Sequence, residues 1–225
     1  MGDKGPGQDM QVDGELKQLL ERSLCTQDSR DPAQSRHVQE ARRFCARVSA
    51  LVKRGVVPTD TDVTTLELAC LALQLPLRGF VQPGKVTRSS LRDRAEQAAE
   101  TLVSLAANHR GAADPALDQT VQLLQQVYQR HPDGELAMLL ADTLNLEDFG
   151  VSGLVSLAVA TGRQEGTVVQ VAEGCVKRDQ YGYWEARLKD GFHFEPVRQL
   201  ARKRLEQARK VAALLVAELK EDGAL

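Results

Sequence analysis

Aromatic side chains are scarce in this chain: one tryptophan, three tyrosines and five phenylalanines among 225 residues. Its core must therefore rest on aliphatic residues. Long apolar runs are missing too, and no stretch approaches the roughly 18 to 20 residues needed to cross a bilayer. The opening MGDKGPGQDMQVDG has no apolar segment of the kind a secretory signal needs. Pro6 stands where a myristoylation signal after Gly2 wants Ser or Thr. No membrane association is expected.

Cysteine is equally sparse. Cys25, Cys45, Cys70 and Cys175 show no C-x-x-C pair and no histidine at zinc-finger spacing, so reduced thiols and a cytoplasmic and/or nuclear location are expected. Cys45 and Cys70 fall among apolar residues at helical spacing, as small buried hydrophobes do.

Signatures of chemistry are absent as well. Neither G-x-G-x-x-G nor the Walker pattern occurs, and Gly150-Val-Ser-Gly153 is too short to cradle a phosphate. Ser152 is not in a G-x-S-x-G elbow, and His37, His109, His131 and His193 have no local partner suggesting a triad. Asp142, Glu147 and Asp148 lack the alternating oxygen ligands and central glycine of a calcium loop. The expectation is no catalytic residue, no cofactor, no metal and no enzyme.

What is present is helical periodicity. Residues 1–13 are rich in Gly, Asp and Gln and read as a disordered tail, followed by a helical domain over 14–225 with a sub-boundary near 132. Leu16, Leu19, Leu20 and Leu24 mark a first short helix. Asp31-Pro32, Thr59-Asp60, Thr87 and Asp114-Pro115 read as the starts of four further helices, with Gly55, Pro76, Gly111 and Pro132 as their stops. Amphipathic helices joined by short loops must bury their stripes against one another. The fold class is mainly α: a multi-helix bundle or stacked helix pairs.

The second half adds short helices over 135–144 and 151–161. The latter is apolar on every side and reads as the buried centre. TVVQV alternates like a strand while AEGCVKR completes a helical turn, so 167–175 stays open between the two. From Pro196 onward, Val197, Leu200, Ala201, Leu205, Ala208, Val211, Ala212, Leu215 and Leu219 form the stripe of a long C-terminal helix.

Charge is uneven although the net value is -2. Residues 111–150 hold only Arg130 against seven acids, whereas over 177–210 the basic residues outnumber the acids two to one. In that basic stretch lie five of the nine aromatics, Tyr181, Tyr183, Trp184, Phe192 and Phe194. Asp190-Gly191 between them reads as the turn of a small β-hairpin near 183–194.

This concentration carries the functional expectation. Trp, Tyr and Arg are the residues most enriched in binding hot spots. Tyr183, Trp184, Arg187, Phe192, Phe194, Arg202, Lys203 and Arg209 are the candidate partner-binding residues of a non-enzymatic scaffold or adaptor protein. The alternative is a winged-helix-like nucleic-acid binder using 167–210, since three helices followed by a hairpin reproduce that order. A winged helix after helical repeats also resembles scaffold subunits of the proteasome-lid type. Gly150–Gly162 loosely resembles the central helix of BH-domain apoptosis regulators, but Asp148-Phe149-Gly150-Val151 replaces their Asn-Trp-Gly-Arg signature. Neither likeness assigns a family. Whether Trp184 faces the core or a partner, and the oligomeric state, stay open.

Overall fold

A computed structural model describes residues 7–25, 31–57, 61–76, 91–110, 115–129 and 132–225. Among them are ten α-helices, one 3-10 turn and no strand, so the chain is mainly α. It divides into two units, Met1–Leu140 and Ala141–Leu225. Of the expected N-terminal tail, residues 1–6 lie outside the described residues, while α1 spans Gly7–Ser23.

The first unit contains α1, α2 (Arg36–Lys53), α3 (Val63–Ala72), α4 (Leu91–Arg110), α5 (Pro115–Gln126) and the start of α6 (Glu135–Asn145). Helix α2 begins later than Asp31-Pro32 suggests. Asp31 instead closes a tight turn, accepting from the Ala33 N–H at 2.9 Å, and Ser35 is the N-cap. Ser35 Oγ also donates to the Leu24 carbonyl at 2.8 Å, which satisfies a buried hydroxyl twice. Helix α3 starts on the Asp62 cap, whose carboxylate accepts from the Thr65 N–H at 3.1 Å. The starts expected at Thr59-Asp60 and Thr87, and Asp114 and Gly111, lie outside the described residues.

Helix α3 is the centre of this unit. Thr65, Leu66, Leu68, Ala69, Cys70, Leu71 and Ala72 are all buried, with α1, α2, α4 and α5 packed around them. A helix with so little polar surface is stable only when enclosed, and each fully buried leucine contributes about 1.5–3 kcal/mol.

The second unit holds the end of α6, the 3-10 turn Leu146–Asp148, α7 (Val151–Gly162), α8 (Val168–Gln180), α9 (Tyr183–Asp190) and α10 (Glu195–Glu221). The structure corrects two expectations here. Helix α7, read as the buried centre, is largely exposed: Val155 is 56% exposed, Val159 48%, and within the helix only Gly153 is buried. Its apolar letters matched the enclosed environment that α3 in fact occupies. Gly153 is the point where α7 presses on the preceding turn, since a Cβ there would stand 2.2 Å from the Asp148 carbonyl oxygen.

The expected hairpin is helix α9. Gly182, in the left-handed region at φ 64°, breaks the chain between α8 and α9, and Gly191 at φ -96° donates to the Arg187 carbonyl as a helix C-cap. A two-residue hairpin turn of the Asp-Gly kind needs positive φ at both central residues, which Gly191 does not adopt. Residues 168–175 are helical, following the extended N-cap Thr167, which bonds reciprocally with Gln170 in a capping box.

Candidate functional site

The residues singled out around Trp184 assemble into the core of the second unit. Phe149 is fully buried and meets the Trp184 and Phe192 rings edge-on, each at 5.2 Å between centroids. Trp184 is itself buried, and Tyr183 stands against it at 5.0 Å. Phe194 is half-buried as the N-cap of α10. Edge-to-face pairs of this kind add about 0.5–1.5 kcal/mol beyond their buried area. Trp184 therefore faces inward.

The basic members of the set have intramolecular partners. Arg187 donates to Asp148 Oδ2 at 2.8 Å and to Asn145 Oδ1 at 3.1 Å. Arg209 bridges Asp179 and Glu185 at 2.7 and 2.9 Å, and Arg202 reaches Glu195 at 3.3 Å. Lys203 is exposed on α10. The cavity beside Trp184 amounts to about 30 Å³, room for little more than a water molecule.

A site with volume and charge lies elsewhere, in the first unit. A groove of about 590 Å³ is lined from α1 by Lys17, Gln18 and Glu21, from α2 by Arg42, Cys45, Ala46 and Ser49, and from α3 by Glu67 and Leu71. The same periodicity that buries Leu16, Leu20 and Leu24 turns Lys17 and Glu21 to the rim, four residues apart on one face of α1. Arg42 holds the corresponding place on α2, one position after the buried Ala41.

Two ion pairs cross the groove. Lys17 Nζ meets Glu67 Oε2 at 2.6 Å, and the Arg42 guanidinium meets Glu21 Oε1 at 3.0 Å. The hydrogen bond to Glu67 raises the Lys17 pKa above its ordinary value, ahead of the opposing effect of burial, so the ammonium is fully charged at neutral pH. Both cations are about half-exposed. Exposed pairs of this sort are worth only about 0–1 kcal/mol, so either cation can exchange its carboxylate for a stronger anion at small cost.

Beneath the rim, the Cys45 thiol donates to the Glu67 carbonyl at 3.8 Å. Cys70 lies behind it, fully buried, its thiol held well above the ordinary range first by the hydrogen bond it shares with Cys45 and then by burial. A second groove, about 370 Å³ between α7, α8 and α10, is lined by Leu154, Val155, Ala158, Val171 and other uncharged residues, with nothing to hold an anion.

None of Lys17, Glu21, Arg42 or Glu67 was singled out in the sequence. The one local signal was the polar face of α1 opposite its leucines. Lys17 and Glu67 are 50 residues apart, and no spacing rule joins them. Among the described residues no group of three or more His, Cys, Asp or Glu side chains could hold a metal ion, and no helix is long and apolar enough to cross a membrane.

Neither the scan against protein-family models nor the search of curated proteins found a match. Among solved structures, the chain is similar in fold to YpgQ of Bacillus subtilis, determined in complex with ADP. The TM-score is 0.55 at 16% sequence identity, over 95% of this chain and 96% of that one. This likeness corrects the scaffold or adaptor reading and its winged-helix alternative. The fold is similar to that of a protein solved with a bound nucleotide, and the element expected as a docking hairpin or wing is a helix closing a core.

Proposed function

We propose that the chain is a nucleotide-binding protein, acting by binding rather than by catalysis, that takes a nucleoside diphosphate in the groove between α1, α2 and α3. The observation that carries this reading is the fold likeness, over nearly the whole of both chains, to a protein determined with ADP bound.

The groove fits that ligand class. Its 590 Å³ falls within the usual 300–1,000 Å³ of small-molecule sites, whereas the cavity at Trp184 is too small and the groove along α7 uncharged. Lys17 and Arg42 approach from two different helices. A diphosphate offers each of them a denser negative charge than a single carboxylate, and guanidinium with phosphate makes the stronger, bidentate hydrogen bonds. Ligand entry then swaps weak internal pairs for charge-assisted bonds to the phosphates.

Calorimetric titration of the full chain with ADP tests the reading. Binding is expected, and Lys17→Ala or Arg42→Ala should each weaken it about ten-fold or more. No binding at millimolar ADP would overturn the proposal.

A further inference from the structure

Among the described residues, nine of the ten exposed large hydrophobic side chains belong to the second unit, so it is this unit that leaves apolar area uncovered. Much of that area lies on two neighbouring helices. Helix α7 carries no charged residue from Val151 to Gly162, and Val151, Val155 and Val159, each one turn apart, are 41%, 56% and 48% exposed. Helix α10 has an uncharged stretch, VAALLVA over 211–217, in which Leu214 is 71% exposed. Val155 and Leu215 line the same groove, so the apolar surface runs on from one helix to the other.

A contiguous apolar surface in water marks an interface, whose centre is depleted of charge. The flanks of the stretch in α10 say what covers it. Lys210, Val211, Leu214, Ala217, Glu218 and Glu221 recur at three and four residues and are all exposed, so they form one outward face of the helix. That face is basic at its N-terminal side, apolar in the middle and acidic at its C-terminal side. Among the described residues neither Lys210 nor Glu218 takes part in an ion pair, whereas Arg209, next to Lys210 in sequence, bridges Asp179 and Glu185.

We propose that this face pairs with the same face of a second copy of the chain, the two α10 helices crossing antiparallel about a two-fold axis at Leu214. Such an axis relates each position to the one equally far on the other side of Leu214. Leu214 therefore meets Leu214, and Lys210, four residues before it, meets Glu218, four residues after it. Symmetry makes this ion pair twice. Parallel helices would instead set Lys210 on Lys210 and Glu218 on Glu218, and opposed like charges disfavour that arrangement. The face is complementary to itself in one direction only. Val155 of α7, at the adjoining groove, widens the apolar area that the second copy covers.

The inference does not depend on nucleotide binding, because none of these residues lines the groove between α1, α2 and α3.

Sedimentation equilibrium of the full chain over a range of concentrations tests it. A monomer–dimer equilibrium is expected, with the mass rising from 24.7 kDa towards twice that value. Leu214→Glu should leave a monomer whose helix content and melting match those of the unsubstituted protein, since the side chain is exposed. Lys210→Glu alone and Glu218→Lys alone should each raise the dimer dissociation constant about ten-fold or more, because each sets like charges together at two places. The double variant Lys210→Glu/Glu218→Lys should restore the dimer. A monomer at every concentration means that something other than a second copy covers the face and would overturn the proposal. So would a dimer indifferent to Leu214→Glu or to the single reversals, or a double variant no tighter than the singles. The charge reversals, made at exposed positions, decide the matter whether or not Leu214→Glu folds.

Discussion

Asp142 Oδ1 accepts two hydrogen bonds from His193, one from its backbone N–H at 2.8 Å and one at Nδ1 at 2.9 Å. The other oxygen, Oδ2, accepts from the Phe194 N–H at 3.0 Å. Helix α10 begins on Phe194, which has no side-chain oxygen to cap it, so a carboxylate from α6, 52 residues upstream, serves the orphan donors. Asp142 is completely buried. Its pKa is raised, because burial outweighs the hydrogen bonds from His193 and Phe194 that pull it down.

The sign of the pH effect follows. Between the ordinary aspartate value of 3.8 and the raised folded value, the native protein holds a proton that the unfolded chain has lost, so this group's contribution to stability falls as pH rises through that window. Denaturation from the acid side upward should show this decline. In Asp142→Asn the decline should disappear, while overall stability drops by about 1–3 kcal/mol because one amide oxygen replaces two acceptors. A variant with the same pH slope would refute the assignment.

Trp184 is the chain's one tryptophan, and it is buried against Phe149. Its fluorescence should be that of a shielded indole and shift to the red on denaturation. Trp184→Ala should cost about 3–5 kcal/mol in urea denaturation of the full chain, as deletion of a large core aromatic does. An unshifted spectrum or a neutral substitution would mean that the ring faces solvent.

Two glycines of α7 separate close packing from helix propensity. Gly153 leaves no room for a Cβ, while at Gly162 nothing lies within 4 Å. Gly153→Ala should destabilise by several kcal/mol or displace α7, within the range of overpacked sites. Gly162→Ala should be neutral or stabilising by up to about 1 kcal/mol. Thermal melting of the two variants side by side provides the comparison.

The helical fold was legible because its signals are local: leucine and valine stripes, prolines in first turns, and glycines beyond the ends. The environment of each helix was not. LELACLALQL and GVSGLVSLAVATG are both apolar on every side, yet only the first, in α3, is enclosed. Burial depends on what other helices bring, and periodicity within one segment does not record it. The stretch 183–194 misled because aromatics flanking Asp-Gly favour a strand pair, while the φ angles of Gly182 and Gly191 choose a helix. The groove was hidden for a related reason. Lys17, Arg42 and Glu67 lie on three helices, and only their packing brings the charges together.

Nucleotide binding at that groove is tested most directly by following the backbone amide resonances of the full chain while ADP is added. The changes are expected to concentrate around Lys17, Glu21, Arg42, Cys45 and Glu67, and to be lost in the Lys17→Ala/Arg42→Ala double variant, whose melting should shift by no more than exposed ion pairs allow, roughly 1 kcal/mol each. A spectrum that ADP leaves unchanged, or changes confined to residues 141–225, would contradict the account.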